Sequence, residues 1–80
     1  MPEEFEGAKK VVGIKQSTRA IEKGEVKVAY IAKDADESMI ADFKELCARH
    51  GVKIVFIDTM KQLGKMCEIE VGAAAAVTLK

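Results

Sequence analysis

Eighty residues, 49% of them hydrophobic and none of them tryptophan, carry 13 basic groups against 13 acidic ones, an ordinary globular composition. A chain of this length buries only about 60% of the surface that its unfolded form exposes, so one domain over 1–80 with one thin core is expected. Zero net charge argues against an unselective nucleic-acid binder, and the longest apolar run, 71–79, is far below the roughly 20 residues of a membrane span, so no membrane partner is expected.

The charge is unevenly placed. Residues 9–33 hold seven bases (Lys9, Lys10, Lys15, Arg19, Lys23, Lys27, Lys33) against Glu22 and Glu25, a local sum of +5, and the rest of the chain carries the opposite sum. Such a segment is a footprint of local anion binding. The opening MPEEFEGAKK has no apolar leader, which predicts a cytoplasmic protein.

In chain order, EEFEGAKK (3–10) reads as a weak helix and Val11-Val12 as a brief strand before Gly13. From there Ile14, Ser17, Thr18 and Ile21 share one helical face, Lys15, Gln16, Arg19, Glu22 and Lys23 the other, and Gly24 supplies a C-terminal stop. VKVAYIAK (26–33) is nearly all apolar and predicts a strand covered on both faces. Asp36 is placed as the N-cap of the clearest helix, whose apolar stripe is Met39, Ile40, Phe43, Leu46, Cys47 and His50, ended by Gly51. VKIVFID (52–58) predicts a second buried strand. Thr59 and Gln62 have the spacing of a capping box that opens a short helix through about Cys67, with Met60, Leu63 and Met66 facing the core. After EIEVG (68–72), the alanine run 73–76 suits a helix by propensity but is too short to stand alone, and with Val77, Thr78 and Leu79 it predicts a strand. Alternating strands and helices at this density imply an α/β/α sandwich around a small sheet.

Chemistry is sparse. The single histidine, His50, sits beside Gly51 at a helix end, where it meets the dipole, and forms no nucleophile–base order with any serine or cysteine. Asp34, Asp36 and Glu37 read as a strand-to-helix turn. Cys47 and Cys67 read as free buried thiols, without the companion ligands of a metal site, so no cofactor and no metal are expected. The better candidate is the segment from Gly13. Glycine lets a partner approach the backbone, and a helix N-terminus attracts anions. Lys15 and Arg19 lie one turn apart with Gln16 beside them, and arginine presents a fork suited to guanine O6 and N7. By spacing alone this face is equally a solvated one. Ile69 and Val71, flanking Glu70, are either loop residues that meet an unstacked base or part of the core.

Two separated motifs decide more than either alone: G-x-K-Q-x-x-R at 13–19 and L-G-x-x-x-x-I-E-V-G-A-A-A at 63–75. Together, in this order and over about Phe5 to Leu79, the chain resembles the ribosomal protein L-seven-Ae and L-thirty-e superfamily of kink-turn RNA-binding proteins, in its short bacterial branch. The resemblance implies a three-layer α/β/α fold around a four-stranded mixed sheet, and a kink-turn RNA partner, ribosomal or regulatory. A kink-turn is a bent duplex with a bulge followed by tandem sheared G·A pairs. By motif position Gly13, Lys15, Gln16 and Arg19 would contact the guanines of those pairs. Ile69, Glu70 and Val71, closed by Gly72, would pack on the flipped-out bulge nucleotides. The basic segment, with Lys9, Lys10 and Lys33, would offset phosphate repulsion. The archaeal form of the first motif has Asn-Glu where Lys15-Gln16 stand and Lys where Arg19 stands; Lys-Gln is the bacterial form. A monomer, possible ribosome association, no enzymatic activity and no DNA specificity are the accompanying expectations. The rival reading from the residues is a small protein–protein interaction domain that uses the 68–72 loop.

Overall fold

The computed structural model describes residues 9–80, which order as β1 (Lys10–Val12), α1 (Ile14–Glu22), β2 (Val26–Ala32), α2 (Glu37–Arg49), β3 (Lys53–Ile57), α3 (Met60–Met66) and β4 (Ala75–Leu79). The helix expected over 3–10 falls, up to Ala8, outside the described residues, and Lys10 already belongs to β1.

The four strands make one mixed sheet in the order β1-β4-β2-β3. β4 runs antiparallel to both β1 and β2, whereas β2 and β3 are parallel, so the last strand of the chain is inserted between the first two. α1 and α2 pack on each other over one face, and α3 meets β2, β3 and β4 on the other, completing three α/β/α layers. Cover on both faces explains why β2 and β4 are buried almost throughout: Ala29, Tyr30, Ile31, Ala32, Ala76 and Val77 have no exposed surface. The small Ala75 and Ala76 side chains in β4 let the helices close on the sheet centre, which is where an alanine-rich strand is useful. Lys27 interrupts the burial because the β2–β4 register slips between Val26 and Val28, and this bulge turns Lys27 to solvent.

One strand departs from expectation. The 52–58 segment was expected to be buried, but β3 is an edge strand, half exposed along its length, with Phe56 47% exposed under the ammonium of Lys44 at 5.6 Å from the ring centroid. A continuous apolar run says that a strand is covered, not that it has neighbours on both edges. α2 departs in detail: Ile40, Phe43 and Cys47 are buried and Leu46 half-buried, but Met39 is 50% exposed and His50 lies at the open C-cap.

Caps place the helix ends. Asp36 accepts hydrogen bonds from Ser38 N–H at 3.0 Å and Ser38 Oγ at 2.8 Å, and these bonds hold its carboxyl below the ordinary carboxylate value. Thr59 Oγ1 accepts from Gln62 N–H at 3.0 Å, the first half of the expected capping box. All three helices end in the same pair of backbone bonds. Gly24 and Gly51 take the left-handed position after α1 and α2, but after α3 that position falls to Glu68, at φ 62°. A side chain there costs about 1 kcal/mol. Glu68→Gly is therefore expected to raise stability by roughly 0.5–1 kcal/mol, read as a higher urea midpoint at unchanged slope; an unchanged midpoint would mean that Glu68 gains compensating contacts.

Candidate nucleic-acid interface

α1 begins unlike its neighbours. Gly13 stands at φ 101°, ψ 146°, a backbone shape that a side chain strains, and its N–H donates to Ala75 O at 2.9 Å, tying the start of α1 to the start of β4. Among the described residues no side chain caps α1, and its first turn holds no acid, whereas Asp36 and Glu37 open α2 and Thr59 caps α3. The first-turn amides and the positive end of the dipole are thus left for an external anion. Lys15, Gln16 and Arg19 are all exposed. Ser17, Ala20 and Ile21 are buried and fix the helix rotation, helped by Ser17 Oγ donating to Val11 O at 3.3 Å. Arg19 belongs to the last turn of this nine-residue helix, where a cation suits the dipole; only Lys15 opposes it. The ion pairs among the described residues are Lys33–Asp58 and Arg49–Glu45, so neither Lys15 nor Arg19 is neutralised by a carboxylate there. Both cations line a groove of about 590 Å³ between α1 and α2, with Ile14, Thr18, Glu22 and Met39.

The second half is the 67–74 segment. Past the C-cap Cys67, Ile69 N–H donates to Gly64 O and Ala73 N–H to Met60 O, both at 3.0 Å, so the segment doubles back along α3. Ile69 and Val71, read as a pair from the sequence, separate: Ile69 is half-buried against the core, while Val71 is 71% exposed between the exposed Glu70 and Gly72.

Sheet topology brings the halves together. β1, β2 and β3 finish, and β4 starts, at one end of the sheet, since Val12 and Tyr30 both pair with Ala76 and Ile31 pairs with both Ala75 and Phe56. The start of α1, the 33–36 turn, the 58–59 turn and the 67–74 loop therefore share that end. Ala32 N–H donates to Ala74 O and Lys33 N–H to Ile57 O, which sets Lys33 there too, 3.5 Å from Asp58. The result is a basic helix start without a described cap at the same end of the sheet as the loop that exposes Val71.

Over residues 5–80 the chain matches the model of the ribosomal protein L7Ae/L30e/S12e/Gadd45 family. The chain belongs to this family. It is 54% identical over 68 residues to an RNA-binding protein of Caldanaerobacter subterraneus, covering 85% of this chain and 83% of the relative. It is 39% identical over 76 residues to the RNA-binding protein YbxF of Geobacillus stearothermophilus, with 95% and 93% covered. The large ribosomal subunit protein eL8 of Halobacterium salinarum is 35% identical over 68 residues, 84% of this chain but 57% of that longer protein. Among solved structures, the Giardia lamblia 15.5kD RNA binding protein superposes with a TM-score of 0.83 at 26% identity, covering 89% of this chain and 60% of that one.

Not every residue expected at the site arrives there in this member of the family. Lys9 lies at the other end of the sheet, its carbonyl accepting from Leu79 N–H, whereas Lys10, the first residue of β1, is near enough to act on the Cys67 thiol where the loop begins. By strand rise, Lys9 is about 13 Å along the chain from Gly13. Adjacency in sequence overstated their nearness, because β1 is extended and runs toward the site from the far end. In the other direction, Lys61 and Lys65 were counted with the acidic remainder, yet they stand exposed on α3 beside the loop and with Thr59 and Gln62 line a hollow of about 220 Å³. Their i, i+4 spacing on the outer face of α3 is the signal for them. Asp34, read as part of a turn, reaches α3: its Oδ1 accepts from Met60 N–H at 2.7 Å.

The thiols stand apart from this chemistry. Cys47 is fully buried and burial pushes its thiol up to about 11; Cys67 is half-buried and also raised by burial, with Lys10 pulling weakly the other way. Neither is a thiolate at neutral pH, so neither has the character of a reactive cysteine. Among the described residues, no three of His, Cys, Asp and Glu come together as a metal set, and no helix is long and apolar enough to cross a membrane.

Proposed function

We propose that this chain is an RNA-binding protein that recognises and stabilises kink-turns, in ribosomal or regulatory RNA. The observation that carries the reading is the Gly13 N–H to Ala75 O bond, which seats the start of α1 beside the loop that presents Val71. In this reading the first-turn amides and Lys15 meet phosphates, while Gln16 and Arg19 reach the edges of the sheared guanines. Arg19 supplies a planar fork for O6 and N7, and Gln16 offers one donor and one acceptor. Val71, with Glu70 and Gly72 on either side, packs on nucleotides displaced from the stack, as exposed apolar loop residues can. Lys33, Lys61 and Lys65 lower the cost of crowding phosphates at a sharp bend. The protein performs no covalent step. It binds the bent RNA better than the extended one and shifts the population by that difference in affinity. Relatives named as RNA-binding proteins, among them one of 54% identity, support the same class of partner, and a ribosomal relative supports a ribosomal RNA as one such partner.

Equilibrium titration tests this directly. A kink-turn RNA is compared with the same strand pair whose tandem G·A pairs are replaced by Watson–Crick pairs. The kink-turn is expected to bind at least tenfold more tightly, the scale of one good base-edge contact. Equal affinities would sink the reading.

A further inference from the structure

We infer that Gly64 is a positioning residue for RNA recognition: α3 holds the 67–73 loop in its binding shape before RNA arrives, and the bare backbone at Gly64 sets where Val71 stands. The inference rests on the kink-turn reading for its ligand but on different residues for its argument.

Gly64 lies inside α3, where its backbone is helical rather than left-handed, so conformation does not demand glycine. Helix propensity favours alanine there. What demands glycine is space. A methyl group at position 64 would sit well inside contact distance of the Val71 carbonyl oxygen, 3.1 Å from the Val71 carbonyl carbon and 3.2 Å from Gly72 Cα. All three are backbone atoms, and no side-chain rotation can move them aside. The loop itself would have to lift from the helix. One turn earlier the arrangement repeats more mildly, since a methyl group on Gly72 would lie 3.1 Å from Met60 Cβ.

Three hydrogen bonds hold the same surface together. Glu68 N–H donates to Lys65 O, Ile69 N–H to Gly64 O and Ala73 N–H to Met60 O, each at 3.0 Å. Met60 is itself fixed, because its N–H donates to the Asp34 carboxylate in the turn after β2. The loop thus has its main chain against α3 at both ends and at its middle, and the Val71 side chain stays 71% exposed. A loop fixed this way binds without an ordering cost at the moment of contact.

The test combines binding with hydrogen exchange on the full chain. Gly64→Ala, Val71→Ala and the double variant are titrated against the kink-turn RNA and its G·A-replaced control, with urea unfolding run on each. Gly64→Ala is expected to stay folded and lose about tenfold in kink-turn affinity, the scale of coupling between contacting groups. In the Val71→Ala background it is expected to cost nothing further, a non-additivity that a general loss of stability would not produce. Wild-type affinity in a folded Gly64→Ala protein, or full additivity of the two losses, overturns the inference. Should Gly64→Ala fail to fold, amide exchange in the RNA-free wild type decides: protection of Ile69 and Ala73 is expected, and exchange at the rate of an unstructured peptide overturns the preset loop. Indifference of the wild type to the two RNAs is a separate result, and it removes the kink-turn reading itself.

Discussion

Arg19→Ala is expected to weaken kink-turn binding by about 1–3 kcal/mol, roughly five- to 150-fold, while leaving the unfolding midpoint almost unmoved. The separation of the two effects follows from the placement of the side chain. Arg19 is exposed and makes no ion pair with a described carboxylate, so its removal empties no core space. Its favourable place in the last turn of α1 is worth a few tenths of a kcal/mol, which the better helix propensity of alanine largely returns. Arg19→Lys discriminates further: it keeps the charge but loses the fork, so it should retain the salt dependence of wild type and lose preference for G·A pairs. Equal affinity of wild type and Arg19→Ala in parallel titrations would mean that this face of α1 does not read the RNA.

Leu63→Ala acts on the other half and is expected to remove about 2–5 kcal/mol of stability, measured by urea unfolding with the slope held. Leu63 has no exposed surface and ties α3 to the sheet. A chain of this size is stabilised by roughly 4–12 kcal/mol in all, so the loss is a large share of the total. Because α3 also carries the loop, the variant should lose RNA affinity even where it remains folded, which Arg19→Ala does not share in reverse. A loss below about 1 kcal/mol would mean that neighbouring side chains collapse into the space left.

The helices and their ends were legible in the sequence because their signals are local: Asp36 two residues before Ser38, Thr59 three before Gln62, and glycines after α1 and α2. Of the central strands, β2 was legible from its continuous apolar character, and β4 from an alanine run too short to stand as a helix. What stayed hidden depends on where elements lie relative to one another. Edge and centre cannot be told apart by the composition of β3, whose KIVFI reads as more buried than the alanines of β4. The Asp34–Met60 bond joins residues 26 positions apart, and no spacing rule reaches that far. Lys9 seemed part of a basic cluster only because the chain was read as a line, whereas Lys61 and Lys65 were assigned away from it for the same reason. Within the candidate site, the two motifs were visible as strings, but their meeting rests on β4 pairing between β1 and β2, which needs the fold.

That pairing also sets the proposed RNA-reading end of the molecule apart from the opposite end of the sheet. The turns at 23–25 and 50–52, together with Lys9, lie at the opposite end of the sheet, roughly 20 Å away by strand rise. Nothing in the proposed contact depends on them. On the proposed contact, a fluorophore attached at the turn after α2 would report tumbling and complex formation without crowding the bound strand.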